Sequence, residues 1–105
     1  MRLAFICVIS AIFFWPLSKA IAVEAKLDLL AGATADYIRL SVACSKNWHP
    51  TLDKTLAAVL LKGGDPNQFA ELVKMYRSGK SECNQENFEA FEHHQQFMLD
   101  LYQSK

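Results

Sequence analysis

The stretch VEAKLDLLAGATADYIRLSVACSK, residues 23–46, decides the fold because its apolar side chains recur with the period of an α-helix. At about 100° per residue, one face of this helix collects Leu27, Leu30, Thr34, Tyr37, Ile38, Ser41 and Cys44. The charged residues Asp28, Asp36, Arg39 and Lys46 fall on the opposite face. We therefore predict one long amphipathic helix whose apolar face packs against the rest of the domain.

Turn-forming residues mark the ends of a second, shorter helix. Pro50 disfavours a helical conformation for His49, the residue before it. The second helix is therefore predicted over residues 52–62, with Thr51 as its N-cap. Gly63 ends it, because glycine readily adopts the left-handed conformation that terminates many helices.

The third helix has the clearest start signal in the chain. Asp65 suits the N-cap, Pro66 the first helical position and Gln68 the third. The helix is predicted to run to about residue 78, where Gly79 stops it. Its apolar face consists of Phe69, Leu72, Val73 and Tyr76.

The fourth helix is predicted to begin after Asn84, whose side chain suits an N-cap. Its polar residues share one arc, made of Glu86, Glu89, Glu92, His93, Gln96 and Asp100. The remaining arc is apolar and wide, and His94 falls in its middle. Such a wide arc predicts contact with more than one neighbouring helix.

These segments predict an all-α domain, an up-down bundle of about four helices spanning residues 23–105. Short connections favour antiparallel neighbours. The end of the first helix and the start of the fourth then lie at the same end, where Cys44 and Cys83 are found. These are the two cysteines of residues 23–105, and an even count in an oxidising compartment predicts a disulfide between them. The alternative is a pair of inert core thiols.

The first 22 residues are typical of a cleaved secretory signal peptide. Arg2 precedes an apolar run over residues 3–15, and small side chains follow at Ala20 and Ala22. The alternative, an uncleaved membrane anchor, needs about 20 apolar residues, which this run does not reach. Cleavage is expected after Ala22, although neighbouring positions are also usable. The product is expected in the periplasm or outside the cell, without a stable membrane anchor.

The net charge of the chain and its lack of catalytic motifs exclude several classes of function from our expectations. Removing residues 1–22 takes away Arg2 and Lys19 and no acidic residue, which leaves 9 basic and 11 acidic side chains, a net charge of −2. A chain without a polybasic patch is not expected to bind nucleic acid or anionic membranes. The sequence has no Gly-x-Ser-x-Gly, no phosphate-binding loop and no Cys-x-x-Cys. We therefore expect neither an enzyme nor a cofactor.

The histidines of the fourth helix allow two special interpretations. Glu89 and His93 are spaced to share a metal ion, but a structural zinc site usually takes four protein ligands. We expect a solvated contact between them and no metal. His94 is expected to be buried and hydrogen-bonded to a neighbour; the alternatives are a proton-sensitive switch and a partner contact.

Trp48 and His49 lie in the break before Pro50, where a core role for a large aromatic is hard to explain. Exposed tryptophan is enriched in binding hot spots. We predict a partner surface made of Trp48, His49 and Tyr37. The alternative is that Trp48 caps the core.

The expected function is that of a small exported, non-catalytic protein that binds a protein partner and modulates or neutralises it. The format of signal peptide, short helical domain and single disulfide also suits a periplasmic acid-stress chaperone, or a secreted effector or toxin. In the chaperone reading, protonation of the glutamates Glu24, Glu82, Glu86, Glu89 and Glu92 would open the fold. No motif in the chain selects one of these classes.

Overall fold

Residues 25–104 are described by a computed structural model, and they form a bundle of four helices, which confirms the all-α prediction. The first helix, α1, is described over residues 25–43. It is followed by α2 (His49–Leu61), α3 (Pro66–Tyr76) and α4 (Gln85–Gln103). The predicted signal peptide, residues 1–22, lies outside the described residues.

Helix α1 contacts each of the other three helices, through Thr51 of α2, Tyr76 of α3 and Gln95 of α4. Its predicted apolar face is buried except for Cys44, which is half-buried just beyond the helix, and residues beyond that face are buried too, including Ala33, Ala35 and Leu40. The helix ends at residue 43, three residues before the predicted position. Ser45 has a positive φ of 57°, and the Lys46 backbone N–H donates to the Ser41 carbonyl at 2.8 Å. This is the hydrogen bond of a Schellman-type helix end.

The prediction for the start of α2 was wrong, because α2 begins at His49 and not after Thr51. Proline has no backbone N–H, but the first turn of a helix leaves its N–H groups unbonded within the helix, so Pro50 fits there at little cost. The Asn47 side chain accepts a hydrogen bond from the backbone N–H of His49 at 3.2 Å, which holds the entry into the helix. Thr51 is therefore inside the helix.

The other helix ends follow their predicted signals. Asp65 caps α3 by accepting from the backbone N–H of Asn67 at 2.9 Å. Asn84 caps α4 by accepting from the backbone N–H of Asn87 at 3.1 Å. Gly63 has a φ of +83° after the last turn of α2, as the sequence predicted. The third helix ends at Tyr76, two residues before its predicted end.

The predicted disulfide between Cys44 and Cys83 is present and joins the end of α1 to the start of α4, with the two Cα atoms 4.7 Å apart. The chain direction alternates from helix to helix. Helices α2 and α4 therefore run in the same direction, and they pack against each other. Helix α2 also packs against α3. The hydrogen bonds between α2 and α4 keep this parallel register, from Lys54–Gln96 to Lys62–Ser104.

The bundle has two ends, which are named here after the disulfide and after Gly64. The disulfide end contains Cys44, Trp48, Arg77 and Cys83. The Gly64 end contains the start of α1, the turn after α2 and the last turn of α4. Within residues 25–104, no helix combines the length and the apolarity needed to cross a bilayer.

A buried polar network lies at the middle of the bundle. The Gln95 side-chain amide donates to the hydroxyl of Thr55 at 2.9 Å and is 3.3 Å from that of Thr34. These three residues come from α4, α2 and α1, and each is at most 1% exposed. Each threonine hydroxyl donates in turn to a backbone carbonyl of its own helix. The network fixes the rotation of three helices, because a buried polar group without a partner is costly.

Candidate functional site

An open groove of about 460 Å³ lies at the disulfide end, between the last turns of α1, Trp48 and the segment after α3. Its lining consists of Ile38, Arg39, Val42, Ala43, Trp48, Arg77, Gly79, Lys80 and Ser81. Ala43 is the neighbour of Cys44, and Ser81 is two residues from Cys83. The disulfide therefore ties the two walls of the groove together.

Trp48 forms one side of this groove and is half-buried. Its indole stacks on the His49 ring, with centroids 3.9 Å apart and planes inclined by 16°. The Arg77 guanidinium lies 5.3 Å from the Trp48 ring centroid, in cation–π range. The side chain also packs against the edge of the core. Trp48 is therefore partly a core cap and partly an accessible surface.

His49 is exposed, and it belongs to the first turn of α2 and not to a break before it. The Oδ1 of Asn47 lies 3.0 Å from the His49 ring nitrogen Nδ1. The same oxygen accepts from the His49 backbone N–H. Asn47 thus holds the imidazole in place over the indole of Trp48.

Tyr37 does not belong to the accessible surface, and its assignment to a partner surface was wrong. It is only 4% exposed, and its ring centroid lies 5.7 Å from that of Phe88. The helical pattern had already placed Tyr37 on the apolar face of α1, and packing against α4 keeps it there. Its role is to support the core beneath the disulfide end.

Three basic side chains of the groove were missed at the level of sequence: Arg39, Arg77 and Lys80. Arg39 pairs with Asp36, one turn away on α1, and is 3.5 Å from the Tyr76 carbonyl. Within the described residues, Arg77 and Lys80 have no carboxylate within ion-pair distance. The lining contains no acidic residue, so the groove is cationic on a chain whose overall charge is not.

His94 is exposed, so the burial on which its role as a switch depended is not observed. The next residue, Gln95, occupies the buried position instead. One residue corresponds to a rotation of about 100° on a helix. Thr34 and Thr55 offer hydroxyl partners to an amide at that point, and this chemistry explains why α4 turns Gln95 inward.

The Glu89–His93 pair is exposed on α4. No group of three or more histidine, cysteine or acidic side chains suited to a metal ion is found among residues 25–104. A smaller hollow of about 210 Å³ lies at the Gly64 end between α1 and α4. It is lined by Lys26, Leu29, Met98, Leu101, Tyr102 and Ser104.

Comparison with known proteins gives no relative from which the role of this groove could be inferred. No protein-family model, no curated protein and no solved structure matches the chain significantly. The function is therefore inferred from the geometry of the groove.

Proposed function

We propose that this is an exported, non-catalytic protein that binds a protein partner through its disulfide end and so modulates or neutralises that partner. The observation that carries the proposal is the half-buried Trp48, which stacks on His49 in a groove whose walls are joined by the Cys44–Cys83 disulfide. Tyr37, which is buried, is no longer part of the proposed surface.

The side chain of Trp48 is held in place before binding, which lowers the cost of ordering the binding surface. A side chain that is free in solution loses rotamer entropy when a partner immobilises it, at about 0.5–1.5 kcal/mol for a flexible side chain. Trp48 is already held by His49 and by Arg77 before any partner arrives. Tryptophan and arginine are also the residue types most enriched in binding hot spots. The groove therefore offers a large contact at low ordering cost.

The core composition favours this proposal over an acid-stress chaperone. The buried polar side chains of the described residues are Thr34, Ser41, Thr55 and Gln95. None of them takes up a proton between neutral and acidic pH. Of the glutamates that the chaperone interpretation relied on, those from Glu82 to Glu92 are exposed, and Glu24 lies outside the described residues. Protonating solvated carboxylates gives little energy for opening a core, so the acid-triggered alternative is the weaker one.

Export is proposed from the sequence of residues 1–22 alone. The exported protein should begin near Val23 and contain no free thiol, because Cys7 would be removed and Cys44 is bonded to Cys83. Intact-mass measurement after thiol alkylation tests both points. Retention of residues 1–22, or alkylation without reductant, would show that the proposal of export or of complete oxidation is wrong.

The partner-binding proposal is tested with Trp48→Ala and a matched control, Leu61→Ala. Leu61 is 85% exposed at the other end of the bundle, so its truncation leaves the groove intact. The oxidised protein is used to isolate a stoichiometric partner, and its affinity is measured for each variant. Trp48→Ala should weaken binding by about 2 kcal/mol, or about 30-fold. Unchanged affinity with a lower melting temperature would make Trp48 a core cap alone.

A further inference from the structure

We infer that the groove at the disulfide end takes an acidic segment of the partner protein, with carboxylates paired to Arg77 and Lys80 and an apolar side chain against Val42. The inference rests on the proposed function and specifies the chemistry of the partner. It differs from that proposal in predicting which part of the partner is recognised.

The charges of the lining carry the first step. Three basic side chains and no acidic one face the groove, although residues 23–105 are net negative. Asp36 neutralises Arg39. The charges of Arg77 and Lys80 are then left to attract a ligand of opposite sign. Such local complementarity steers a partner to one patch and excludes partners that carry basic segments.

The geometry of Arg77 carries the second step. Its guanidinium is held against the face of Trp48, which orients a planar group that otherwise has several free torsions. An oriented guanidinium forms paired hydrogen bonds to a carboxylate, and such charge-assisted bonds are roughly twice as strong as neutral ones. The ligand group that best matches Arg77 is therefore a carboxylate.

The apolar part of the lining carries the third step. Val42 is 61% exposed in the last turn of α1, beside Ile38 and Ala43 in the groove. A highly charged segment would leave this apolar surface unused. Carboxylates that alternate with apolar side chains would satisfy both the cations and Val42.

The segment between α3 and α4 favours a polypeptide over a small anion. Within the described residues, the backbone of 78–83 forms no hydrogen bond to other backbone groups. Its side chains are exposed, and Gly79, Lys80 and Ser81 face the groove. Free backbone donors and acceptors beside a groove can pair with an extended segment of another chain. A phosphate ion or a membrane surface would not use them in this way.

The test uses a displayed library of random peptides, selected on the oxidised exported protein. The matched targets are Arg77→Gln with Lys80→Gln in one variant, and Lys74→Gln as the control. Lys74 is exposed on α3 and does not line the groove. The intact protein and the control should enrich peptides that combine Asp or Glu with apolar residues. The double variant should lose this enrichment.

A selected peptide is then titrated, with Trp48 fluorescence as the readout, since Trp48 is the one tryptophan of residues 23–105. The double variant should weaken binding about tenfold or more, the effect of losing charge-assisted bonds. Replacing the peptide's Asp and Glu by Asn and Gln should do the same, and added salt should weaken binding. Lys74→Gln should change the Kd less than twofold.

Neutral or basic selected peptides, or equal selection by the double variant, would overturn the inference. Binding of anionic lipid vesicles without binding of acidic peptides would overturn it as well. If the isolated partner depends on Trp48 but not on Arg77, Lys80 or salt, the inference fails and the proposed function stands. If the partner also ignores Trp48, both fail.

Discussion

The two ends of the bundle are held together by different means. At the disulfide end, the covalent bond between Cys44 and Cys83 joins α1 to α4, and the surface beside it forms a groove of about 460 Å³. At the Gly64 end, the described helices are held by close packing and by hydrogen bonds, from Lys62 Nζ to the Ser104 carbonyl at 3.5 Å and from the Tyr76 hydroxyl to Asp28. A covalent link needs little area, so it leaves surface free for binding. At the Gly64 end, the side chains that pack between the helices are buried against one another, so their surface is not available to a partner.

The largest expected effect follows from removing the covalent link. Cys44→Ser with Cys83→Ser should lower the free energy of unfolding by about 4 kcal/mol, the chain-entropy value for a closed loop of this length. The helices should persist, because the buried core that joins all four of them remains in place. Urea unfolding followed by circular dichroism measures both quantities. An unchanged stability would mean that the disulfide end does not depend on its covalent bond.

A smaller effect is expected from Gly64→Ala at the opposite end. A Cβ atom on Gly64 would lie 2.8 Å from Cγ1 of the fully buried Val59 and 3.0 Å from the hydroxyl of Tyr102. The branched side chain of Val59 has little freedom to rotate about χ1 and move away. The added methyl should therefore lower the free energy of unfolding by about 1–3 kcal/mol through overpacking. The measurement is again urea unfolding of the oxidised protein.

The matched control is Gly32→Ala in α1, where an added Cβ would have no neighbour within 4 Å. It should stabilise the protein by up to about 1 kcal/mol, through the higher helix propensity of alanine. If Gly64→Ala were equally harmless, close packing would not be what holds the Gly64 end, and the contrast between the two ends would disappear.

The sequence predicted the helices and the disulfide well because these depend on local signals. The apolar period of α1 and the caps Asp65 and Asn84 are properties of a few consecutive residues. The error at α2 was local as well. Position 49 was judged from the conformational bias before proline, whereas the first turn of a helix accepts Pro50 and Asn47 secures the entry.

The site was less predictable because it depends on which helices meet. Trp48 and His49 could be singled out as residues of a break, but Arg77 and Lys80 join them only through the placement of α3 beside α1. The apolar arc of α4 contacts both α1 and α2, as predicted, but the sequence did not predict which residues of α4 are buried, for a similar reason. Phe97 and Leu101 are 58% and 48% exposed, while Gln95 is buried against threonines of two other helices.

The smallest expected effect concerns alkaline pH at the Gly64 end. Burial raises the pKa of Tyr102 above its ordinary value of 10.0. The folded state therefore holds this proton more tightly than the unfolded state. The resulting stability is fully present below pH 10 and falls as pH rises through the pKa of the folded protein. Tyr102→Phe should flatten the decline of the unfolding midpoint above pH 10. An equally steep decline in Tyr102→Phe would assign it to other groups.

The proposal that the disulfide end is the binding surface is tested most directly by mapping where the partner lies on the oxidised protein. A photo-crosslinking amino acid is placed at Ser81, which lines the groove, and separately at Leu61, which is exposed at the Gly64 end. We predict a crosslink to the partner from position 81 and none from position 61. Crosslinking from position 61 without crosslinking from position 81 would contradict the claim that the disulfide end is the binding surface.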